Sequence, residues 1–345
     1  MSEEILHIIY NFSKKYNDPI NNLPLDQKNQ HFSVIIKDNN VNISLTTVPD
    51  KANYSNEILK IIENFSKKIK GVLSVNTVLT SERPNKNERK NKFNINSKQI
   101  IAIASGKGGV GKSTFAVNLA GALSKIGEKV GLLDADIYGP SIPKMIGITK
   151  KPEVNENNKL IPLENYGIKC MSIGFLLNVD TPAIWRGPMV MKALENMFDG
   201  VDWGKLDFLI IDLPPGTGDV QLSLAQSAKL SGSIIVSTPQ DIALIDVRKG
   251  INMFNKVNIP ILGLVENMSY FVCDKCNEKH FIFSNEGAKK EAEKNQIPFL
   301  GSLPLSKDLR IKSDKGKLLC IDDPEGEMAQ VYFKIAKLIN KFSEN

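Results

Sequence analysis

Residues 100 to 127 read IIAIASGKGGVGKSTFAVNLAGALSKIG: an apolar run, a glycine-rich loop, then apolar positions at helical spacing. The loop contains Gly106-x-x-x-x-Gly111-Lys112-Ser113, the spacing of a phosphate-binding loop, and it sits between strand and helix as such loops must. Glycines let the backbone wrap phosphate oxygens, Lys112 reaches the terminal phosphates, and Ser113 holds Mg²⁺. On this reading Gly106, Lys107, Gly108, Gly109, Val110, Gly111, Lys112, Ser113 and Thr114 cradle a nucleotide.

Five more apolar runs follow IIAIAS: KVGLLDA, DFLIIDL, SIIVST, ILGLVEN and PFLGSLP. They lack alternation, as strands of a parallel sheet buried on both faces do, and helical segments separate them. The pattern predicts an α/β fold, a doubly wound, mostly parallel sheet with ligands at the C-terminal strand ends.

Residues 1–82 read as a separate small α/β domain. Ile5, Ile8, Ile9 and Phe12 recur at helical spacing, and HFSVIIK and VNISLTT alternate as two strands around Asp38-Asn39-Asn40. A second helix carries Ile58, Ile61, Ile62, Phe65 and Ile69, and VLSVNTVLT is a third strand. The polar, basic stretch 83–98 is a linker, and 99–345 is the phosphate-loop domain.

Composition narrows the class further. A net charge of +6 over 345 residues is mild, and a basic linker accounts for much of it, so nucleic acid is not an expected partner. No apolar run approaches bilayer length, and the acidic start MSEE does not resemble a secretion signal, so a cytoplasmic chain without stable membrane association is expected. Four cysteines are too few for a disulfide framework, and two of them form C-x-x-C.

Two further strand ends carry acids. DFLIIDLPPGTGD places Asp212 where a carboxylate binds Mg²⁺ through water, and Gly216 and Gly218 let the next loop follow the γ-phosphate. KVGLLDADIYGPS offers Asp134 and Asp136. Asp134 reads equally as a cap or turn residue, whereas Asp136 lies further out, suited to orient water or touch the metal.

KGGVGKS, DADIYGPSIP and DLPPGTGD together resemble the deviant Walker-A (MinD/Mrp) class of P-loop ATPases. The resemblance implies a homodimer in which Lys107 crosses to the phosphates of the partner's ATP, acting as a finger in trans. Lys107, Lys112, Asp136 and Asp212 then form the catalytic set. The class reads adenine with an Asn after a late strand, which is Asn267 here, with Glu266 and the Leu303–Leu305 backbone as weaker candidates.

Cys273 and Cys276 have the spacing of half a metal site, and two thiolates cannot complete a zinc site or a four-cysteine cluster. The remaining ligands come from His280, from Cys320, or from a second chain; a redox dithiol is a further reading. ENMSYFVCDKC, TPQDIALIDVRKG and WRGPM are similar to the Mrp/ApbC type of iron–sulfur cluster carrier. That likeness implies that Cys273 and Cys276 bind a bridging [4Fe–4S] cluster, held transiently and passed to apo-proteins, with apo iron–sulfur proteins and cluster-assembly factors as partners.

Cys170 and Cys320 are expected in the core. The first domain resembles the small front domain of Mrp proteins, without its usual cysteine. The competing reading is a MinD/ParA-type spatial organiser with a structural zinc, in which MAQVYFKIAKLINKF lies on a membrane surface; packing on the sheet is the preferred role for that helix.

Overall fold

The computed structural model describes residues 2–37, 39–81, 93, 95–176 and 187–342. The chain divides into two compact units, Met1–Arg89 and Lys90–Asn345.

The first unit runs α1 (Ser2–Ser13), β1 (Phe32–Lys37), β2 (Asn40–Thr47), α2 (Ala52–Ser66) and β3 (Ser74–Ser81). β1 and β2 form an antiparallel hairpin from Phe32↔Leu45 to Lys37↔Asn40, and the α2 crossover returns β3 parallel to β2. Period-2 alternation buries Phe32, Val34, Val41, Ile43 and Leu45 against Ile5, Ile9, Ile58, Leu59 and Ile62 of the helices. Ile8 and Ile61, predicted on the buried faces, are 44% and 43% exposed, because a three-stranded sheet covers only a narrow stripe of each helix. Ile69 lies beyond α2 and packs on the core from the turn that follows. Asp38 of the predicted turn is outside the described residues; Asn39 takes a left-handed φ of 61° there.

The second unit continues with β4 (Ser97–Ala104), α3 (Lys112–Lys125), β5 (Val130–Asp134), α4 (Ile142–Met145), β6 (Leu163–Asn165), β7 (Ile168–Ser172), α5 (Gly187–Asp199), β8 (Leu206–Asp212), α6 (Asp219–Ser227), β9 (Gly232–Ser237), α7 (Asp241–Lys256) and β10 (Ile261–Glu266). It ends with β11 (Phe271–Val272), β12 (Lys279–His280), α8 (Gly287–Lys294), β13 (Phe299–Ser302), α9 (Lys307–Asp314), α10 (Leu319–Asp322) and α11 (Glu327–Phe342). Strands order as β13-β10-β9-β4-β8-β5-β7-β6, parallel throughout except for the β6–β7 pair. All six apolar runs are strands of this sheet. β4 opens at Ser97, two residues inside the expected linker, since Ser97 already pairs with Leu206.

α3 is buried along nearly its whole length, from Phe115 to Leu123, which makes it the central helix of one face. α11 lies against it with Tyr332 facing Phe115 at 5.6 Å between ring centroids. Ala329, Tyr332, Phe333, Ile335, Ala336 and Ile339 fill the inner face of α11, so its apolar stripe is spent on the core, as preferred from the sequence. Asp322 closes α10, and α11 opens at Glu327. Among the described residues no helix is long and apolar enough to cross a membrane. Cys170 and Cys320 are fully buried, as expected. Trp185 and Arg186 of WRGPM lie outside the described residues, and Gly187 opens α5.

Candidate functional site

The C-terminal ends of β4, β5, β8 and β10 converge, and each contributes one part of a site. β4 leads into the phosphate loop. Gly111 has a φ of 84° and ends the loop as N-cap of α3; a Cβ there would run into the Asn267 amide. At Gly106 a Cβ would strike the side chain of Asp246 on α7. Both positions therefore admit only glycine, one for conformation and space, the other for space alone. The N-terminus of α3, fourteen residues long, supplies backbone N–H groups and a positive dipole end for an anion.

Lys112 is 6% exposed. Its ammonium donates to Asp212 Oδ1 at 2.6 Å and to Ser113 Oγ at 3.4 Å, and lies 3.9 Å from Asp136 Oδ2. Three residues placed by the sequence thus meet on one cation. Phosphate oxygens would compete with Asp212 for it. Asp212 Oδ2 is buried and has no hydrogen-bond partner among the described residues, while Ser113 stands beside the same carboxylate. An unpartnered carboxylate oxygen next to a hydroxyl suits Mg²⁺, with Ser113 as ligand and Asp212 reached through water. Burial pushes Asp212 and Asp136 above the ordinary carboxylate range, and Lys112 pulls both back.

Asp134 and Asp136 divide the work that the sequence left open. Asp134 sits opposite Asp212 in the β5–β8 register. It accepts from Ser172 Oγ at 2.9 Å, the Asp136 N–H at 3.2 Å and the Ile142 N–H at 3.4 Å, so it ties the loop to the start of α4. Asp136 turns toward Lys112 instead. Burial and the facing Asp212 push the Asp134 carboxyl up to about 7, against the pull of Ser172 and Lys112.

A carboxyl raised above its ordinary value of 3.8 stabilises the fold only while protonated. That contribution is complete below about pH 4 and is lost as pH rises through about 7. Asp134→Asn is expected to flatten the fall in unfolding free energy across that window, a fall of about 4 kcal/mol at most. Urea titrations at each pH read it; an unchanged slope would mean that Asp134 is ionised in the folded protein throughout.

Lys107 reaches Gln240 Oε1 at the head of α7 at 3.5 Å, and its side chain is half-buried. Gln240 was not predicted from the sequence. Nor was Gln221, a buried side chain on α6 that donates to the Pro214 carbonyl and steadies the DLPPGTGD loop. A glutamine in the first turn of a helix that follows a glycine-rich loop is the signal that could have found it.

Asn267 is 6% exposed and donates from Nδ2 to the Val110 carbonyl at 2.9 Å. It therefore braces the phosphate loop from behind. It also lines a cleft of about 750 Å³ that begins at Gly111 and Thr114 and continues past Met268 and Phe271 to Pro304, Leu305 and Arg310. α9, which forms the far wall, carried no recognisable motif. Glu266 is not in this cleft: its carboxylate accepts from the Ser269 hydroxyl and from the Ala288 N–H at 2.7 Å, at the head of α8. The Leu303 and Leu305 N–H groups are taken by the Glu266 and Tyr270 carbonyls.

Six residues beyond Asn267 comes Cys273. β11 and β12 form a two-residue hairpin in which Phe271 pairs with His280 and Val272 with Lys279. The turn is closed by the Cys273 N–H to the Glu278 carbonyl at 3.0 Å and the Asn277 N–H to the Cys273 carbonyl at 2.9 Å. Backbone N–H groups of Lys275 and Cys276 aim at the Cys273 sulfur and, with the Cys276 thiol, hold its pKa below the usual thiol value. Cys273 is half-buried and Cys276 exposed. The other two thiols are pushed up by burial, Cys320 to about 12 and Cys170 well above its ordinary value. Phe271 belongs both to the cleft wall and to the strand that leads into the cysteine turn.

Comparison with known proteins adds the following. The ParA family model described as "NUBPL iron-transfer P-loop NTPase" matches residues 96–340. A protein from Arabidopsis thaliana named "Iron-sulfur protein required for NADH dehydrogenase, mitochondrial" is 56% identical over 245 residues, 71% of this chain and 78% of its own. The "Iron-sulfur cluster carrier protein" of Aquifex aeolicus is 51% identical over 250 residues, 72% of this chain and 69% of its own. Among solved structures, a nucleotide-binding protein from Archaeoglobus fulgidus in complex with ADP is 41% identical, with a TM-score of 0.59 over 68% of this chain and 91% of its own. The cell-division ATPase MinD of Pyrococcus furiosus shares the fold at 23% identity and a TM-score of 0.52, over 71% of this chain and 99% of its own.

Proposed function

The chain belongs to the NUBPL iron-transfer P-loop NTPase family, and we propose that it is a slow ATPase that carries a [4Fe–4S] cluster between two copies of itself and passes it to apo-proteins. The observation that carries this reading is the disposition of the four cysteines. Cys170 and Cys320 are fully buried in the core, while Cys273 and Cys276 stand together on a surface hairpin. One chain thus presents two thiolates, and a four-thiolate cluster takes its other two from a second chain. Shared ligation suits a carrier, since loosening the dimer loosens the ligands.

In the proposed mechanism ATP lies along the loop Gly106–Thr114 with its base in the cleft beside Asn267. Lys112 leaves Asp212 for the β- and γ-phosphates. Ser113, and Asp212 through water, would hold Mg²⁺, which would supply neutralising charge to the phosphates. Asp136 orients the attacking water, and Lys107 neutralises the γ-phosphate of the partner's ATP. The small domain, taken as residues 1–82, docks a recipient or an assembly factor, having no thiolate to offer. The proposed compartment is the cytoplasm; the plant relative is named as mitochondrial, and a reducing interior of either kind keeps Cys273 and Cys276 as thiols. The spatial-organiser alternative loses its membrane helix, because α11 is committed to the core.

Anaerobic reconstitution with iron and sulfide tests this reading. Wild type should take up about four irons per two chains with cluster absorption in the visible, and Cys273→Ala/Cys276→Ala should take up none. Stoichiometric zinc with no cluster uptake by the wild type would remove the carrier function.

A further inference from the structure

We propose that the cysteine hairpin of a single chain is also a mononuclear site for a divalent transition metal, in which His280 and Glu278 join Cys273 and Cys276. The inference rests on the reading of the two cysteines as metal ligands. It adds two side chains that a four-thiolate cluster has no use for, and a metal state that needs no second copy.

The hairpin register generates the site. Pairing of Phe271 with His280 sets the histidine across from the strand that leads into Cys273. The turn closed between Cys273 and Glu278 folds Cys276 back over both. As a result Cys276 Sγ, a Glu278 carboxylate oxygen and a His280 ring nitrogen all lie within 4.8 Å of one another. Cys273 is not one of that trio; its sulfur stands next to Cys276, close enough for the Cys276 thiol to lower its pKa. Zinc with Zn–S of about 2.3 Å and Zn–N of about 2.0 Å holds tetrahedral donors roughly 3.5 Å apart, so small rotations of these three exposed side chains supply three donors, and the half-buried Cys273 turns in from beside Cys276 as the fourth.

The donor set is selective in class. Two thiolates, an imidazole and a carboxylate suit Zn²⁺, Co²⁺ or Fe²⁺, and exclude the all-oxygen cations Mg²⁺ and Ca²⁺. Neither Glu278 nor His280 has a side-chain hydrogen bond or ion pair elsewhere among the described residues, so no structural duty explains their convergence. A chain parted from its partner thereby keeps its thiolates ligated rather than open to oxidation. Cluster and single metal then compete for the same thiolates, and chain association decides between them.

The test uses the full reduced chain without nucleotide, titrated with Co²⁺ while thiolate-to-cobalt charge transfer, the visible bands and the mass in solution are followed. The expected result is one cobalt per chain on a monomer. His280→Ala and Glu278→Ala should each weaken cobalt binding at least tenfold, while His280→Ala still takes up about four irons per two chains on reconstitution. One cobalt per two chains overturns the proposal, and so does unchanged affinity and spectrum in His280→Ala. If wild type binds one cobalt per chain but takes up no cluster, the carrier function falls and this site stands.

Discussion

Replacing Lys112 by methionine lowers ATP affinity at least a hundredfold, about 2.8 kcal/mol, and removes hydrolysis. The same change has a second effect that the loop motif alone does not anticipate. Lys112 is the positive charge that holds the Asp212 and Asp136 carboxyls down against burial, and it also pulls on Asp134. Without it Asp212, fully buried, rises further and binds a proton in the folded state. A carboxyl raised in this way costs stability as pH rises past its ordinary value of 3.8. Lys112→Met should therefore match wild type near about pH 4 and fall behind by about 3 kcal/mol at about pH 8, the low end for breaking a buried pair. Calorimetry or urea unfolding across pH reads the difference. A deficit that is constant with pH would place the loss in packing rather than charge.

Lys107→Ala should leave nucleotide affinity within about threefold of wild type while hydrolysis falls by about a thousandfold, the low end of what a finger in trans supplies. The difference follows from where the two lysines sit. Lys112 is buried among the acids of its own site, whereas Lys107 is half-buried and, among the described residues, its ammonium reaches only the Gln240 amide oxygen. Its decisive test is mixing. A Lys107→Ala chain has an intact site and lacks a donor; a Lys112→Met chain has the donor and lacks a site. Mixed together, the two inactive proteins should recover ATPase activity, because one interface then combines Lys107 of one chain with Lys112 of the other. Inert mixtures, or full activity in Lys107→Ala alone, would refute a role across the dimer.

Much of this protein is legible in its sequence. Residues 106–114 declare a phosphate loop because a backbone that wraps an anion needs glycine at fixed places and a lysine at its end. The six apolar runs announce a parallel sheet because strands buried on both faces have no polar face to alternate with. Cys273 and Cys276 were legible as a C-x-x-C pair, and the structure sets them together in the turn of one hairpin. Less legible was everything set by side chains arriving from distant strands. Ile8 and Ile61 lie at helical spacing yet stay exposed, because the width of the opposing sheet, not the helix period, decides how wide a stripe is buried.

The division between the two sources of information is sharpest at four residues. Local sequence determined that Asp134 and Asp136 would stand at a strand end, since an apolar run stops there and a turn begins. Only the tertiary structure decided which does what: β7 brings Ser172 to Asp134 and makes it a tie, and α3 brings Lys112 to Asp136 and makes it part of the site. Likewise the order of residues determined that Asn267 follows a strand and that Glu266 precedes it. Packing sent the first against Val110 in the loop and the second into the head of α8, about 20 residues on in the chain. Periodicity and turn chemistry are properties of a few consecutive residues and can be read from them. The partner of a buried polar group is chosen by which elements the sheet places side by side, and that is settled only when the whole chain has folded.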